Sequence, residues 1–215
     1  MTASRSAVLL ESAFAELDQA ASRRLMKEIA SGGIQQSVFV DYLAAEAAFV
    51  RTAARFVGYC IYSETDWDRA NAHIGSLMSL VTEQRSFFEA ELPETDGLFE
   101  TVDTALGGFV QGQIENHGYP AAIVSMFAAE TLYLRWCSEA LATGSDTVAE
   151  RGTAAQRWLD MHVTEKFRNQ VALYAAIVDD IPHSISDAEL TIWFIEMLAA
   201  ENRFHDLPYA RTDAR

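Results

Sequence analysis

Residues 188–209, AELTIWFIEMLAAENRFHDLPY, decide the fold class of this chain. Wound at about 3.6 residues per turn, they put Leu190, Trp193, Phe194, Met197, Leu198, Phe204 and His205 on one face. That is the i, i+3, i+4, i+7 stripe of a helix turned toward a core. Glu201 falls in the same stripe. A carboxylate so placed loses water; it finds a partner, or it holds its proton toward neutral pH. The second outcome makes a general acid.

Two more stretches repeat the anomaly. In SVFVDYLAAEAAFVRTAARFV (37–57) the stripe is Phe39, Tyr42, Leu43, Phe49, Val50, Ala53 and Phe56, with Glu46 in it. In PAAIVSMFAAETLYLRWCSEAL (120–141) it is Ile123, Met126, Phe127, Tyr133, Leu134 and Cys137, with Glu130 in it. Each acid alone reads as a buried Glu tied to a Tyr, an Arg or the backbone. Together they predict a shared acidic pocket, because perturbed carboxylates cluster at functional sites.

With 215 residues, one domain spanning 1–215 is expected. Half the residues are hydrophobic and only four are proline, which suits a helical protein with a core. The net charge of −15 argues against nucleic acid and against docking on anionic membranes. No signal-peptide pattern or long apolar run occurs, so a cytoplasmic home is expected. Cys60 and Cys137 lie in apolar stripes and read as free buried thiols. No CxxC or His/Cys ligand spacing is present, so no metal and no cofactor is expected.

In chain order, helices are expected at about 6–30, 36–62, 67–92, 97–116, 120–141 and 147–178, with a last one over 188–209. Gly32-Gly33 is a C-cap signal, the 63–66 run offers N-caps, and Pro93 stops the third helix. His117-Gly118-Tyr119-Pro120 is a turn, 143–146 breaks the chain, and the sixth segment bends near Val163-Thr164. About seven helices, several longer than average, predict an all-α up-and-down bundle whose pocket lies between facing helices. His73 and His183 read as surface or capping residues, and Trp67, Trp136 and Trp193 as core.

The order of motifs resembles the TenA (thiaminase II) family. Gly33-Ile34, Phe39 and Tyr42-Leu43 with an acid at Glu46 match its early segment. Thr131-Leu132-Tyr133 stands at its C-x-W-x-Y run, Trp158, His162 and Phe167 at its W…Y….F segment, and Glu201–Asp206 at its E-x-x-F-W-[DE]. The resemblance implies a haem-oxygenase-like helical fold, a homo-oligomer (dimer or tetramer), and hydrolysis of the exocyclic amine of aminopyrimidines related to thiamin. In that family a cysteine attacks the ring, an aspartate holds its amino group, a glutamate handles protons, and tyrosines stack.

Carried over, Glu201 takes the proton-handling role, Tyr133 and Phe204 are the matching aromatics, and Glu46 replaces the aspartate. Phe49 stands at a stacking tyrosine, and His162 at another, adding a group expected to titrate near pH 6–7. The cysteine position holds Ala129. Cys137 is eight residues on, roughly 12 Å along a helix, and does not replace it. The family includes a subgroup lacking this cysteine. Catalysis is then expected from Glu201 and Glu130, with Glu46, Phe49, Tyr133, His162 and Phe204 binding a small aromatic ligand. Two alternatives stand beside this: a non-catalytic binder of small aromatics, and a di-iron oxidase using Glu46, Glu130, His162 and Glu201. The Glu-x-x-His pairs of di-iron bundles are absent from the sequence.

Overall fold

Gly32 closes the first helical stretch as the sequence predicts. It lies at φ 75°, ψ 4°, the left-handed C-cap that glycine adopts without a Cβ penalty. The stretch before it is three helices rather than one: α1 (Arg5–Ser12), α2 (Phe14–Ala21) and α3 (Arg24–Ser31). The breaks come at Ala13 and at Ser22 and Arg23, with neither proline nor glycine to announce them. At the second break the Ser22 hydroxyl donates to the Gln19 carbonyl at 3.2 Å, a local bond that competes with helix continuation.

The computed structural model describes residues 3–92, 105–142 and 152–212. Among these there is no β-strand. The remaining elements are α4 (Gln36–Ser63), α5 (Trp67–Met78), a π-helical turn (Ser79–Gln84), α6 (Arg85–Glu91), α7 (Ala105–Ala142), α8 (Thr153–Met161), α9 (Glu165–Asp179) and α10 (Asp187–Thr212). The stop at Pro93, residues 97–104 of the expected fourth helix, the break at 143–146 and the start of the sixth at 147–151 lie outside the described residues.

Local chemistry explains most boundaries. The Asp66 side chain accepts from the backbone N–H groups of Asp68 and Arg69 and starts α5. Beyond Met78 the helix continues through the π turn into α6, and the Thr82 hydroxyl donates to the Met78 carbonyl at 2.6 Å. The bend predicted near Val163-Thr164 separates α8 from α9, and Thr164 caps α9 by accepting from the Phe167 N–H at 3.2 Å. Inside α7 the chain kinks at Gly118, at φ 69° and ψ −155°, a backbone region that only glycine visits cheaply. Pro120, which lacks the N–H a helix interior needs, falls just after that kink, where the predicted turn lies.

The chain divides into two compact units. The first is Met1–Ile34 with Ile123–Asn202; the second is Gln35–Ala122 with Arg203–Arg215. In the first, the fully buried Trp136, Trp158, Tyr174, Phe127 and Phe194 form the core, and Phe127 meets Phe194 edge-on at 5.7 Å. Each such ring adds about 1.5–3 kcal/mol of burial. Arg5 binds this unit's two ends together. Its guanidinium donates to the carbonyls of Ile181 at 2.5 Å and Ile185 at 2.6 Å and to the Asp187 carboxylate at 2.7 Å. The neighbouring Ser6 N–H donates to the Asp179 carboxylate at 2.7 Å. The start of α1 thus holds the loop between α9 and α10.

In the second unit α4 presents Phe39, Tyr42, Leu43, Val50, Phe56 and Val57 to the core, with Phe87 and Phe88 of α6 also buried. Two readings are corrected here. His73 is wholly buried rather than on the surface, because it shares a stripe with Ser76 and Leu80 on the inner side of its helix. Trp67 is 88% exposed rather than core, because it opens α5 on the opposite side. No helix among the described residues is long and apolar enough to cross a membrane.

Candidate functional site

In the first unit, Tyr133 and Trp136 of α7, Trp158 of α8, His162 at the end of α8, and Phe167 of α9 gather around the bend between α8 and α9. The His162 ring lies 4.3 Å from Trp158, 5.1 Å from Phe167 and 5.1 Å from Tyr133, tilted 31° to the last. His162 caps α8, and its Nδ1 lies 2.8 Å from the Trp158 carbonyl. A carbonyl only accepts, so Nδ1 carries the proton and Nε2 the lone pair. Burial pushes the imidazole from its ordinary 6.5 down to about 4, and the bond to Trp158 offsets only part of this. The expectation that His162 titrates near pH 6–7 is therefore corrected: closed in by rings, it is neutral at pH 7.

Glu130 of α7 is half-buried and accepts from the Gln170 side chain at 3.0 Å. Glu201 of α10 is 2% exposed. Ala129 precedes Glu130, and Cys137 is a buried thiol outside any disulfide. Thus Tyr133 and His162 come together, while Glu130 and Glu201 belong to the same unit.

The second unit holds the other three residues predicted for the site. Glu46 of α4 is 7% exposed. Phe204 of α10 stands 6.2 Å from Phe49 and, edge-on, 6.4 Å from Tyr42. His205, 1% exposed, lies 6.1 Å from Tyr42 and completes an aromatic cluster.

A polar network in this unit escaped the sequence reading. The Tyr119 hydroxyl donates to the Glu64 carboxylate at 2.6 Å, and His73 Nε2 makes a long 3.4 Å contact to the same hydroxyl. Burial opposes the Glu64 charge, but the Tyr119 hydroxyl, the backbone N–H groups of Asp66 and Thr65 and the Arg69 charge outweigh it and lower its pKa. Burial raises the Tyr119 pKa and lowers that of His73. Burial, helped by the Glu64 charge, pushes the Cys60 thiol up to about 12, so it is no nucleophile. The signal was the i, i+3, i+7 spacing of His73, Ser76 and Leu80. Among the described residues, no three His, Cys, Asp or Glu side chains stand together as ligands for a metal ion.

No family model matches the sequence, and no curated protein is significantly similar to it. Solved structures are similar in fold. A TenA homologue protein from P. horikoshii OT3 superposes with a TM-score of 0.82 at 14% identity, covering 97% of this chain and 99% of that one. A TenA homologue from Pyrococcus furiosus gives 0.81 at 17% identity, covering 95% and 100%. A protein from Sulfolobus solfataricus P2 with the provisional name TenA-like thiaminase gives 0.75 at 12%, covering 94% of each chain. This chain therefore has the all-α, haem-oxygenase-like fold of the TenA homologues.

Proposed function

We propose that the chain is a TenA-type hydrolase that removes the exocyclic amine of an aminopyrimidine related to thiamin. The observation that carries this reading is the burial of Glu201 at 2% exposure on α10, in a fold shared along 97% of the chain with a TenA homologue. Glu201 donates a proton to the nitrogen as the carbon–nitrogen bond breaks. Tyr133, in the same unit as Glu201, offers a ring face to a planar heterocycle. With Ala129 at the nucleophile position, water is the attacking group. Glu130 is the better base for it, because His162 binds protons only near pH 4. His162 serves as a neutral acceptor through Nε2. The net reaction consumes one water, leaving its hydroxyl on the carbon that loses the nitrogen and releasing the amine.

A Glu201→Gln variant keeps size and hydrogen bonding but cannot transfer a proton. Its aminopyrimidine hydrolysis, followed by amine release, is expected to fall by about 10²–10⁴-fold. Undiminished turnover in this variant removes the role assigned to Glu201. Ala129 favours a second reading, a binder of small aromatics without turnover. Saturable pyrimidine binding by calorimetry, with no amine released by the unaltered protein, selects that reading instead.

A further inference from the structure

A buried imidazole has two nitrogens to satisfy, and His162 satisfies one. Its Nδ1 donates to the Trp158 carbonyl at 2.8 Å. The other tautomer would set the Nδ1 lone pair against that carbonyl, so the proton is fixed there and Nε2 is left as an acceptor only. Among the described residues, no N–H or O–H group donates to Nε2. The side chain is 4% exposed, so bulk water barely reaches it. Buried polar groups are almost always hydrogen-bonded, and one that is not points to a partner the chain itself does not supply.

The surroundings say what that partner is. Tyr133 of α7 and Phe167 of α9 flank the imidazole, each with its ring 5.1 Å away. Three residues before Tyr133 and three after Phe167, one turn along each helix, Glu130 and Gln170 meet at 3.0 Å. This part of the first unit therefore sets two acceptors, Nε2 and the Glu130 carboxylate, among ring faces that are themselves electron-rich. A planar guest that turned an oxygen toward Nε2 would oppose one lone pair to another. A guest that turns an amino group there supplies the missing donor.

We infer that His162 is the specificity-determining residue of this site: its Nε2 accepts a hydrogen bond from the ring amino group of a planar nitrogen heterocycle and rejects the same ring carrying an ether or carbonyl oxygen in that place. The role holds across the neutral range, because burial keeps the imidazole from binding a proton until about pH 4. A tyrosine at this position, as the resemblance implies for the family, does not choose in this way, since a hydroxyl both donates and accepts. The inference rests on the reading of Tyr133 and His162 as part of the ligand site, and it names the group that the ligand shows them.

The test is calorimetry with two probes, an aminopyrimidine and the methoxypyrimidine built on the same ring. Neither carries a second amine to lose, so turnover does not enter. The unaltered protein is expected to bind the amino probe about 10–100-fold more tightly. His162→Phe keeps a ring and loses the acceptor, and its two affinities are expected to be equal. A loss of packing alone would weaken both probes alike and leave their ratio in place. His162→Tyr, with a hydroxyl that serves either probe, is expected to bind both comparably. Circular dichroism of the two variants checks that their helicity is unchanged. Amine release from an aminopyrimidine bearing a second, exocyclic amine is measured separately; its absence, with the probe ratio as expected, removes the hydrolase reading and leaves this inference standing. Equal affinities in the unaltered protein, a ratio retained in His162→Phe, or no binding of either probe overturns it.

Discussion

Replacing Arg5 with alanine is expected to lower the stability of the first unit by about 3 kcal/mol, measured by urea unfolding. The ion pair with Asp187 is the smaller part of this. Asp187 is 56% exposed, and a pair open to water on one side contributes little. The larger part is the guanidinium itself, 8% exposed, with donors on the Ile181 and Ile185 carbonyls. Truncation strips the donor from the buried Ile181 bond, and a buried carbonyl left without one costs about 1–3 kcal/mol. Asp187→Asn is therefore expected to cost under about 1 kcal/mol. Arg5→Lys is expected to recover only part, because one ammonium cannot span a fork of three acceptors. Equal losses in Arg5→Ala and Asp187→Asn would overturn this division.

The second large effect is acid sensitivity centred on His162. Its ordinary pKa is 6.5 and its folded value is about 4, so the folded state disfavours the proton. Above pH 6.5 both folded and unfolded forms are neutral there and the full stability is present. As pH falls from 6.5 to 4 the unfolded chain takes up a proton that the folded chain refuses. Stability is lost at up to about 1.4 kcal/mol per pH unit, about 3 kcal/mol in all, and levels off below pH 4. The group is closed off from solvent, so screening does not reduce this. His73, lowered chiefly by burial, acts in the same direction from the top of the window. Glu64 differs: its lowered pKa gives stability above the ordinary 4.5 that is lost as pH falls through the folded value. A His162→Phe variant keeps an aromatic ring without the titration. Its stability is expected to vary much less with pH between 6.5 and 4, and a slope as steep as the original's would refute the assignment.

How much of this was legible in the sequence depends on where the determining contact lies. α4 and α10 were legible because their own residues carry an unbroken apolar stripe. The burial of Glu46 and Glu201 followed from membership of that stripe. Gly32, Asp66 and Thr164 mark their boundaries by chemistry within one turn. The breaks at Ala13 and Ser22 were hidden, since no residue there forbids a helix. The π turn was hidden because it leaves the residues on either side of it helical. His162 was misread for a different reason. A histidine's titration is set by what surrounds it, and Tyr133 comes from 29 residues earlier in the chain, which spacing around position 162 cannot register. Trp67 shows the opposite error: a large apolar residue says that a surface is wanted, not whether the chain supplies it.

The two cysteines have a practical consequence. Cys60 belongs to the second unit and Cys137 to the first, and neither exposes any surface. A thiol reagent reaches each sulfur only when its own half of the protein opens. With Cys60 or Cys137 replaced by alanine in turn, the rate of adduct formation at the survivor clocks the breathing of one half without interference from the other. The chain therefore carries, untagged, a separate stopwatch in each half.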